Sequence, residues 1–581
     1  MVLVGEKQMK LMHIKILRGS NEIGGTCIKL SAGDSRILLD LGRPLDKKRE
    51  IIPADDFITD ALLISHPHQD HFGFIDAVDP RVPVYIGKLG RHLIDATRML
   101  LGNPLYANRF QYFKNRHPFQ IGDFIITPYL VDHSAVDAYA FLIEAYGMRV
   151  FYSGDFRAHG RKAVLFEEIV HNPPKDIDVL FMEGTMLERS NDDFPAEADV
   201  ENKIFKTIKD QKNIAFLVSS SQNIDRIVSA YRACKRAGKI LILDIYTAWV
   251  LEKLKLVSQH VPSIEWESIG VYADFSQDQK LKGNPDFFGD FRKRIYEHRI
   301  KKELIAENPA RFLWLSKMSR TRTMNYYKKE SPINVIYSQW LGYLKCTDHE
   351  YYGASAIAAY RNDPQVNFVY AHTSGHAAVD DLRIFAEALK PRYLVPIHTE
   401  QPDKYAQHFS NVTILEDEQA YTLTDQKDLH KEDNRLNRMA DLMDKVDLKW
   451  IEDTLAANKE LLEKMIIILD EVDPEGLVYG AMEALGRAVV EEYKPEAETI
   501  LLRQSEWVTV NDLAKVVAEE FAWWFYEYDE NGDPHYDFPR YKLAARKIWN
   551  ARLEVKGQPP EEFADDIILP PRARPILIEV D

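Results

Sequence analysis

The sequence predicts a layered α/β fold that carries a second, inserted α/β unit and is followed by a mainly helical region. Three observations predict it. From about residue 11 to 185, short apolar, β-branched runs are separated by Gly, Asp and Pro. From about 198 to 365, amphipathic stretches alternate with strand-like runs, as in a parallel sheet with crossover helices. Beyond 426 the apolar residues recur at helical spacing. At 581 residues the chain is too long for a single core, so several domains are expected.

The elements follow in order. IKIL, CIKL, RILLDLG, ALLIS, VPVYIG, FIITPYLV, AFLIEAYG, RVFYSGD and DVLFME read as buried strands of the first unit. ENKIFKTIKDQK and NIDRIVSAYRACKRAG read as helices around the strands NIAFLVS and KILILDI. After 366, VNFVYAH, RYLVPIH and VTIL read as strands returning around one helix, DDLRIFAEAL, and are expected to complete the first sheet. Four helical stretches follow, then a Pro-rich tail.

Composition narrows the function classes. Hydrophobic residues make up 45% and charged residues 28%, which excludes disordered and fibrous classes. Three distant cysteines, Cys27, Cys234 and Cys346, form neither a disulfide framework nor a cysteine zinc site and suit a reducing cytoplasm. No signal peptide or membrane span is readable. The net charge of −16 at first argues against nucleic acid. Its distribution removes the objection, because residues 426–581 hold 20 Lys+Arg against 35 Asp+Glu, whereas residues 1–425 hold 54 against 55.

The chemistry starts at His66-Pro67-His68-Gln69-Asp70-His71, directly after ALLIS. Four potential metal ligands within six residues at a buried strand end are costly to satisfy as ordinary core groups. Other strand ends offer more: Asp40 after ILL, His133 after YLVD, Asp155 after FYSG and His398 after YLVPI. Singly they read as structural, Asp40 and Asp155 as turn caps and His133 and His398 as satisfied histidines; together they read as one metal centre.

In this order the residues resemble the metallo-β-lactamase superfamily, and within it the β-CASP nucleases of the ribonuclease J group. Glu183 in FMEGTM, His376 in HTSGHA, His398 in PIHTE and the stretch GSNEIGGTCIKL carry the resemblance, which covers residues 11–425. It implies an αββα sandwich in residues 1–197 and 366–425, a β-CASP domain inserted at 198–365, and an unmatched acidic helical domain at 426–581. It further implies a hydrolase that cuts RNA phosphodiester bonds in processing or degradation, in 5′-exo or endo mode, with two Zn²⁺; Mn²⁺ suits the same ligands. His66, His68 and His133 would hold one ion, Asp70, His71 and His398 the other, with Asp155 between them. Asp70 would also be catalytic, Asp40 would orient a histidine ligand, Glu183 would act as an acceptor near the site, and His376 would assist the scissile phosphate or leaving group.

His372, Ser374 and Gly375 read as a phosphate cradle, or as a helix N-terminus before DDLRIF. Ser221, Asn223 and Arg226 in SSSQNIDRI resemble a phosphate-binding segment of the group, with Gln222 as a departure. FLWLSKMSRTRTMN lacks the glycines of that group, and Arg320 and Arg322 would supply side-chain charge instead. Residues 290–330 carry twelve Lys+Arg against five Asp+Glu, with Tyr296, Phe312, Trp314, Tyr326 and Tyr327 among them. That composition suits single-stranded RNA or a solvated helix face over core rings. The aromatic run FAWWFYEY reads as an amphipathic helix, or as a homodimer or partner surface. The alternatives in function are a DNA nuclease, which His398 disfavours because DNA-acting members generally carry an aliphatic residue there, and an effector that recognises a partner through its acidic domain.

Overall fold

The computed structural model describes residues 10–45, 57–106, 109–189, 194–346 and 353–432, with the backbone of 526–528 and 534–536. The chain divides into one compact unit up to Leu436 and a second from Asn437.

The first sheet contains β1 (Leu11–Arg18), β2 (Cys27–Ala32), β3 (Ser35–Leu39), β4 (Ala61–Leu63), β5 (Val84–Ile86) and β6 (Phe110–Tyr112) side by side, flanked beyond β1 by β19 (Ala420–Thr424) and β20 (Leu429–Lys431). The second contains β7 (Phe119–Ile121), β8 (Phe124–Leu130), β9 (Tyr139–Ala145), β10 (Met148–Tyr152), β11 (Val179–Glu183) and β18 (Tyr393–Ile397), in order 18-11-10-9-8-7. The period of two in the side chains explains the stacking. In β9, Phe141 and Ile143 face the core between the sheets with Met12, Ile14 and Val150, while Ala140 and Leu142 face a second core on the outer side. Helix α1 (Gln69–Phe72) and helix α2 (Lys88–Leu101) lie against the first sheet, whose outer core includes Phe72 and Ile94. Helix α3 (Ala163–His171) and the helix Val379–Leu389 cover the second sheet through Phe166, Ile169 and Phe385. This is the expected αββα sandwich.

The inserted unit begins with helix α4 (Glu197–Ile208) and contains β12 (Ala215–Val218), helix α5 (Ile224–Ala237), β13 (Ile240–Asp244), helix α6 (Ile245–Leu254), β14 (Ile269–Tyr272), β15 (Phe312–Ser316), β16 (Ile333–Tyr337) and β17 (Val366–Tyr370). Its six strands form one sheet, order 14-13-15-12-16-17, with every pairing parallel. Its core is continuous with Leu89, Leu93 and Ala96 of α2, so the two units of the body share apolar packing.

Three expectations need correction. The returning runs do not complete the first sheet: RYLVPIH (Tyr393–Ile397) joins the second beside β11, and VNFVYAH (Val366–Tyr370) pairs in parallel with β16, so the inserted unit runs past 365. VTIL forms no strand beyond a single bridge from Val412 to Leu394. Within FAWWFYEY, Tyr526–Tyr528 is a strand paired antiparallel with Pro534–Tyr536; the other helices expected beyond 432 lie outside the described residues. Among the described residues no helix is long and apolar enough to cross a membrane.

Candidate metal centre

The strand ends converge. Asp40 follows β3, His66 to His71 follow β4 into α1, His133 follows β8, Asp155 follows β10, Glu183 ends β11 and His398 follows β18. Two backbone features make the convergence tight. Asp40 and His398 have φ of 56° and 53°, left-handed values that turn the chain sharply at the strand ends. Gly42 packs so closely on α1 that a Cβ there would lie 1.6 Å from the Asp70 carbonyl oxygen, so only glycine lets this segment approach the ligand turn.

His66 Nε2 lies 3.0 Å from His68 Nδ1, which lies 3.4 Å from His133 Nε2. Those spacings match the edge of about 3.3 Å expected for nitrogen ligands ~2.0–2.1 Å from one tetrahedral zinc. Asp155 Oδ2 stands 3.1 Å from His71 Nε2, 3.7 Å from His66 Nε2 and 3.8 Å from His398 Nε2, and His398 Nε2 is 3.9 Å from Asp70 Oδ2. Candidate ligand groups are therefore His66/His68/His133, Asp70/His71/His398, and two more that share Asp155, one with His66 and His71 and one with His133 and His376. The Nε2 atoms of His71 and His398 are buried and have no hydrogen-bond partner among the described residues. A divalent cation is the partner that this donor set fits.

The tautomers follow from what lies behind the rings. Asp40, fully buried, accepts from Ser65 N (2.6 Å), Ser65 Oγ (2.7 Å), Tyr152 Oη (2.5 Å) and His71 Nδ1 (2.7 Å). With Ser65 Oγ donating to Asp40, His66 Nδ1 at 3.0 Å donates to that oxygen. Both Nε2 lone pairs then face the site. His398 Nδ1 pairs with Thr26 Oγ1 at 2.8 Å.

The electrostatics agree. Burial pushes His66 and His133 well below the usual histidine range, helped by neighbouring imidazoles, and takes His68 to about 4, so these rings are neutral, the form in which imidazole can bind a metal. Burial opposes charge on His71 too, yet Asp155 and Asp40 outweigh it and raise this group. Burial lowers His398, with Asp155 offsetting only part of the effect. Burial also works against the Asp155 carboxylate, but His398 and His71 hold it well below the usual range.

Glu183 completes the rear of the site: Oε1 accepts from Phe156 N (2.9 Å) and Oε2 from His376 Nδ1 (2.9 Å). Burial alone would lower His376, but Glu183 and Asp155 outweigh it and hold its pKa up at about 9. Ser374 Oγ accepts from His376 N at 3.1 Å, and a Cβ at Gly375 would meet Ser134 Oγ at 2.6 Å and His133 Cε1 at 3.4 Å. The HTSGH turn thus presents His376 to the ligands. His372 points the other way, with Nδ1 3.4 Å from Arg226 Nη1, and burial with that cation takes it to about 3.

The expected phosphate contacts divide. Arg226 is fully buried, its guanidinium on Glu197 (3.0 and 3.2 Å), the Ser338 carbonyl (2.9 Å) and the Thr373 carbonyl (3.2 Å). Its donors are spent internally, so the expectation that it binds phosphate is corrected. Asn223 caps α5 by accepting from Arg226 N at 3.0 Å, and Ser221 Oγ accepts from Thr247 Oγ1 at 2.8 Å. Gln222 donates to Tyr246 Oη (2.8 Å) and Thr97 Oγ1 (3.3 Å), tying this loop to α2. Arg320 pairs with Asp274 at 2.8 Å, whereas Arg322 is exposed.

Part of the positive balance of 290–330 is likewise met by carboxylates outside that segment, Arg292 on Asp278 and Arg294 on Glu252 and Glu265 among them. Phe312, Trp314 and Tyr327 are core rings, and Tyr296 and Tyr326 are exposed. Thr26, Ser65 and Tyr152, which orient ligands or their acceptor, carry no signal of their own in the sequence; the first two lie within GSNEIGGTCIKL and ALLIS.

Residues 39–214 match the β-lactamase superfamily domain, and residues 365–416 match the Zn-dependent metallo-hydrolase RNA specificity domain. Ribonuclease J of Helicobacter pylori (strain B128) is 22% identical over 418 residues, covering 67% of this chain and 56% of the relative. Ribonuclease J of Mycoplasma genitalium is 24% identical over 423 residues, covering 68% and 69%. The chain thus spans little more than half the length of the Helicobacter relative. A crystal structure of a protein of unknown function from Enterococcus faecalis V583 superposes with a TM-score of 0.56 at 19% identity, over 71% of this chain and all of that one, which supports the fold.

Proposed function

We propose that this chain, a metallo-β-lactamase superfamily protein of the β-CASP, ribonuclease J-like group, is a metal-dependent ribonuclease that hydrolyses phosphodiester bonds of single-stranded RNA through a dinuclear centre. The observation that carries this reading is the pairing of two three-ligand groups across Asp155 with a histidine, His376, that is not needed to complete either group. His66, His68 and His133 would hold one zinc and Asp70, His71 and His398 the other, with Asp155 between them. Two such ions, when bound, supply an activated water and neutralise charge on the scissile phosphate.

The chain's own residues do the rest. Asp40 and Ser65 hold the His71 and His66 rings in the tautomer that leaves Nε2 free. Glu183 keeps a proton on His376, which places a hydrogen-bond donor beside the ligands, where charge develops on the phosphate or leaving oxygen. Exposed Tyr296, Tyr326 and Arg322 suit a flexible strand, with rings for bases and a cation for phosphate. Three cysteines far apart in a chain of 581 residues suit the reducing cytoplasm in which we place the protein.

The test is digestion of end-labelled single-stranded RNA and DNA, each with a 5′-monophosphate or a 5′-hydroxyl, by zinc- or manganese-loaded protein. RNA cleavage that disappears in the His68→Ala and Asp70→Ala variants supports the reading, and the product ladder assigns exo or endo mode. Cleavage of DNA with RNA spared would overturn it. A biological effect that survives both substitutions would show that catalysis is not what the protein is for.

A further inference from the structure

Arg157 has no solvent exposure and lies two residues beyond the central ligand Asp155. Its guanidinium reaches four other segments. Nη1 donates to the Ser374 carbonyl at 2.8 Å, two residues before His376; Nε lies 3.6 Å from Asp132 Oδ1, next to His133; Nη2 lies 2.5 Å from Asp225 Oδ2 at the start of α5. Nη1 is also 3.5 Å from Glu197 Oε1, at the first residue of α4. Its backbone N–H donates to the Asp132 carbonyl at 2.7 Å, closing the link to the His133 loop.

The carboxylates that receive Arg157 are as buried as it is. Asp132 is fully buried, Glu197 is 1% exposed and Asp225 is 4% exposed. Glu197 is shared with Arg226, and Asp225 with Lys162, whose Nζ also donates to the His133 carbonyl at 3.0 Å. Two buried arginines and the part-exposed Lys162, its side chain 29% exposed, thus face three buried carboxylates between the sandwich and the inserted unit.

Burying such a set is no efficient way to gain stability, since well-packed apolar groups of similar volume often do as well or better. What a planar guanidinium with fixed donor directions does supply is geometry. Here the directions it fixes are those of the segments bearing His133, Asp155 and His376, and the groups that fix it in turn belong to the inserted unit.

We propose that Arg157 is a positioning residue for the metal centre, and that the inserted unit completes that centre through Asp225 and Glu197. The metal arm of the test stands apart from the ribonuclease reading, whereas the kinetic arm rests on it.

The experiment compares full-length wild type with Asp225→Asn, which keeps the shape of the acceptor and removes its charge, and with Arg157→Lys, which keeps charge and loses the fork. Asp178→Asn serves as a stability control. Its carboxylate accepts from Arg149 N (2.8 Å) and Lys427 Nζ (2.7 Å) at the opposite end of β11 from Glu183. Each protein is loaded with cobalt(II), its visible ligand-field absorption is recorded, and kcat and KM are measured on a single-stranded RNA oligonucleotide.

The expected result is a changed cobalt spectrum in Asp225→Asn and Arg157→Lys, with kcat lower by about 10–100-fold, the usual effect of losing a ligand-orienting partner, and KM nearly unchanged. Asp178→Asn melts earlier with the wild-type spectrum and kcat. Folded Asp225→Asn and Arg157→Lys proteins with wild-type spectra and kcat would overturn the proposal. So would the failure of both to fold, which would make the network structural only. If wild type binds cobalt and cuts no RNA, the ribonuclease reading falls and the spectra alone decide this one. If wild type takes up no cobalt, both fall.

Discussion

Replacing Asp40 by asparagine isolates what the carboxylate behind His71 does. Asparagine tolerates the left-handed backbone at φ 56° as aspartate does, so the turn is kept. The carboxylate accepts four hydrogen bonds: Oδ1 from Ser65 N at 2.6 Å, and Oδ2 from Ser65 Oγ, His71 Nδ1 and Tyr152 Oη at 2.5–2.7 Å. An amide has one acceptor oxygen. If that oxygen takes the Oδ2 position, its NH₂ faces the Ser65 N–H, donor against donor, which leaves a buried donor unmet at a cost of about 1–3 kcal/mol. If it takes the Oδ1 position, the NH₂ faces His71 Nδ1, and the imidazole relieves the clash by moving its proton to Nε2. That tautomer cannot bind a cation.

Either route weakens the site that includes His71 by about 10–100-fold, or roughly 1.4–2.7 kcal/mol. Chelator competition measures it directly: the Asp40→Asn protein should bind one of two zinc ions with wild-type affinity and the other 10–100-fold more weakly, with RNA cleavage reduced to match. Two wild-type zinc affinities in a folded Asp40→Asn protein would refute the account of how His71 is oriented.

Three further predictions follow the same logic. Glu183→Gln removes the strongest of the three carboxylate influences, ahead of Asp155 and Asp70, that raise His376 to about 9. Its folded pKa falls, so if protonated His376 serves the reaction, the alkaline limb of the pH–kcat profile moves to lower pH; an unmoved limb refutes that role. In metal-free protein, His66, His68 and His133 have folded pKa values below the unfolded ~6.5. The unfolded state then takes up the extra protons, and urea unfolding should show stability falling as pH drops from 6.5 toward His68's value of about 4, whereas His376 contributes stability that is lost as pH rises through about 9. The two arginines should separate by assay. Arg226→Ala strips the closer of two arginine partners from buried Glu197 and is expected to cost about 3–5 kcal/mol of stability. Arg322→Ala should leave melting unchanged, weaken RNA binding and reduce the salt slope by about one; an unchanged slope would remove Arg322 from the RNA path.

Much of the site was legible because its signal is local. His66, His68, Asp70 and His71 lie within six residues, and Asp40, His133, Asp155 and His398 each follow an apolar run by one to three positions, so strand ends alone order the ligands. Less legible was the partner of each strand. Val366–Tyr370 has the apolar composition of a sheet strand, but composition says nothing about which sheet receives it, and it pairs with β16. Thr26, Ser65 and Tyr152 were illegible because a hydroxyl that orients an imidazole has no characteristic spacing from it; Tyr152 lies 112 positions from Asp40.

The sequence by itself determined the fold class, the candidate ligand residues and the placing of acidity beyond 426, since all three are written in neighbouring residues: periodicity, a six-residue motif, a charge count. Only the tertiary structure decided what the cations do. Arg226 and Arg320 carried the same formal charge as Arg322 on the page, yet two are held by Glu197 and Asp274 and the third is exposed. Availability for phosphate depends on distance to carboxylates tens of positions away, and Coulomb energy is a function of spatial separation that chain order does not encode.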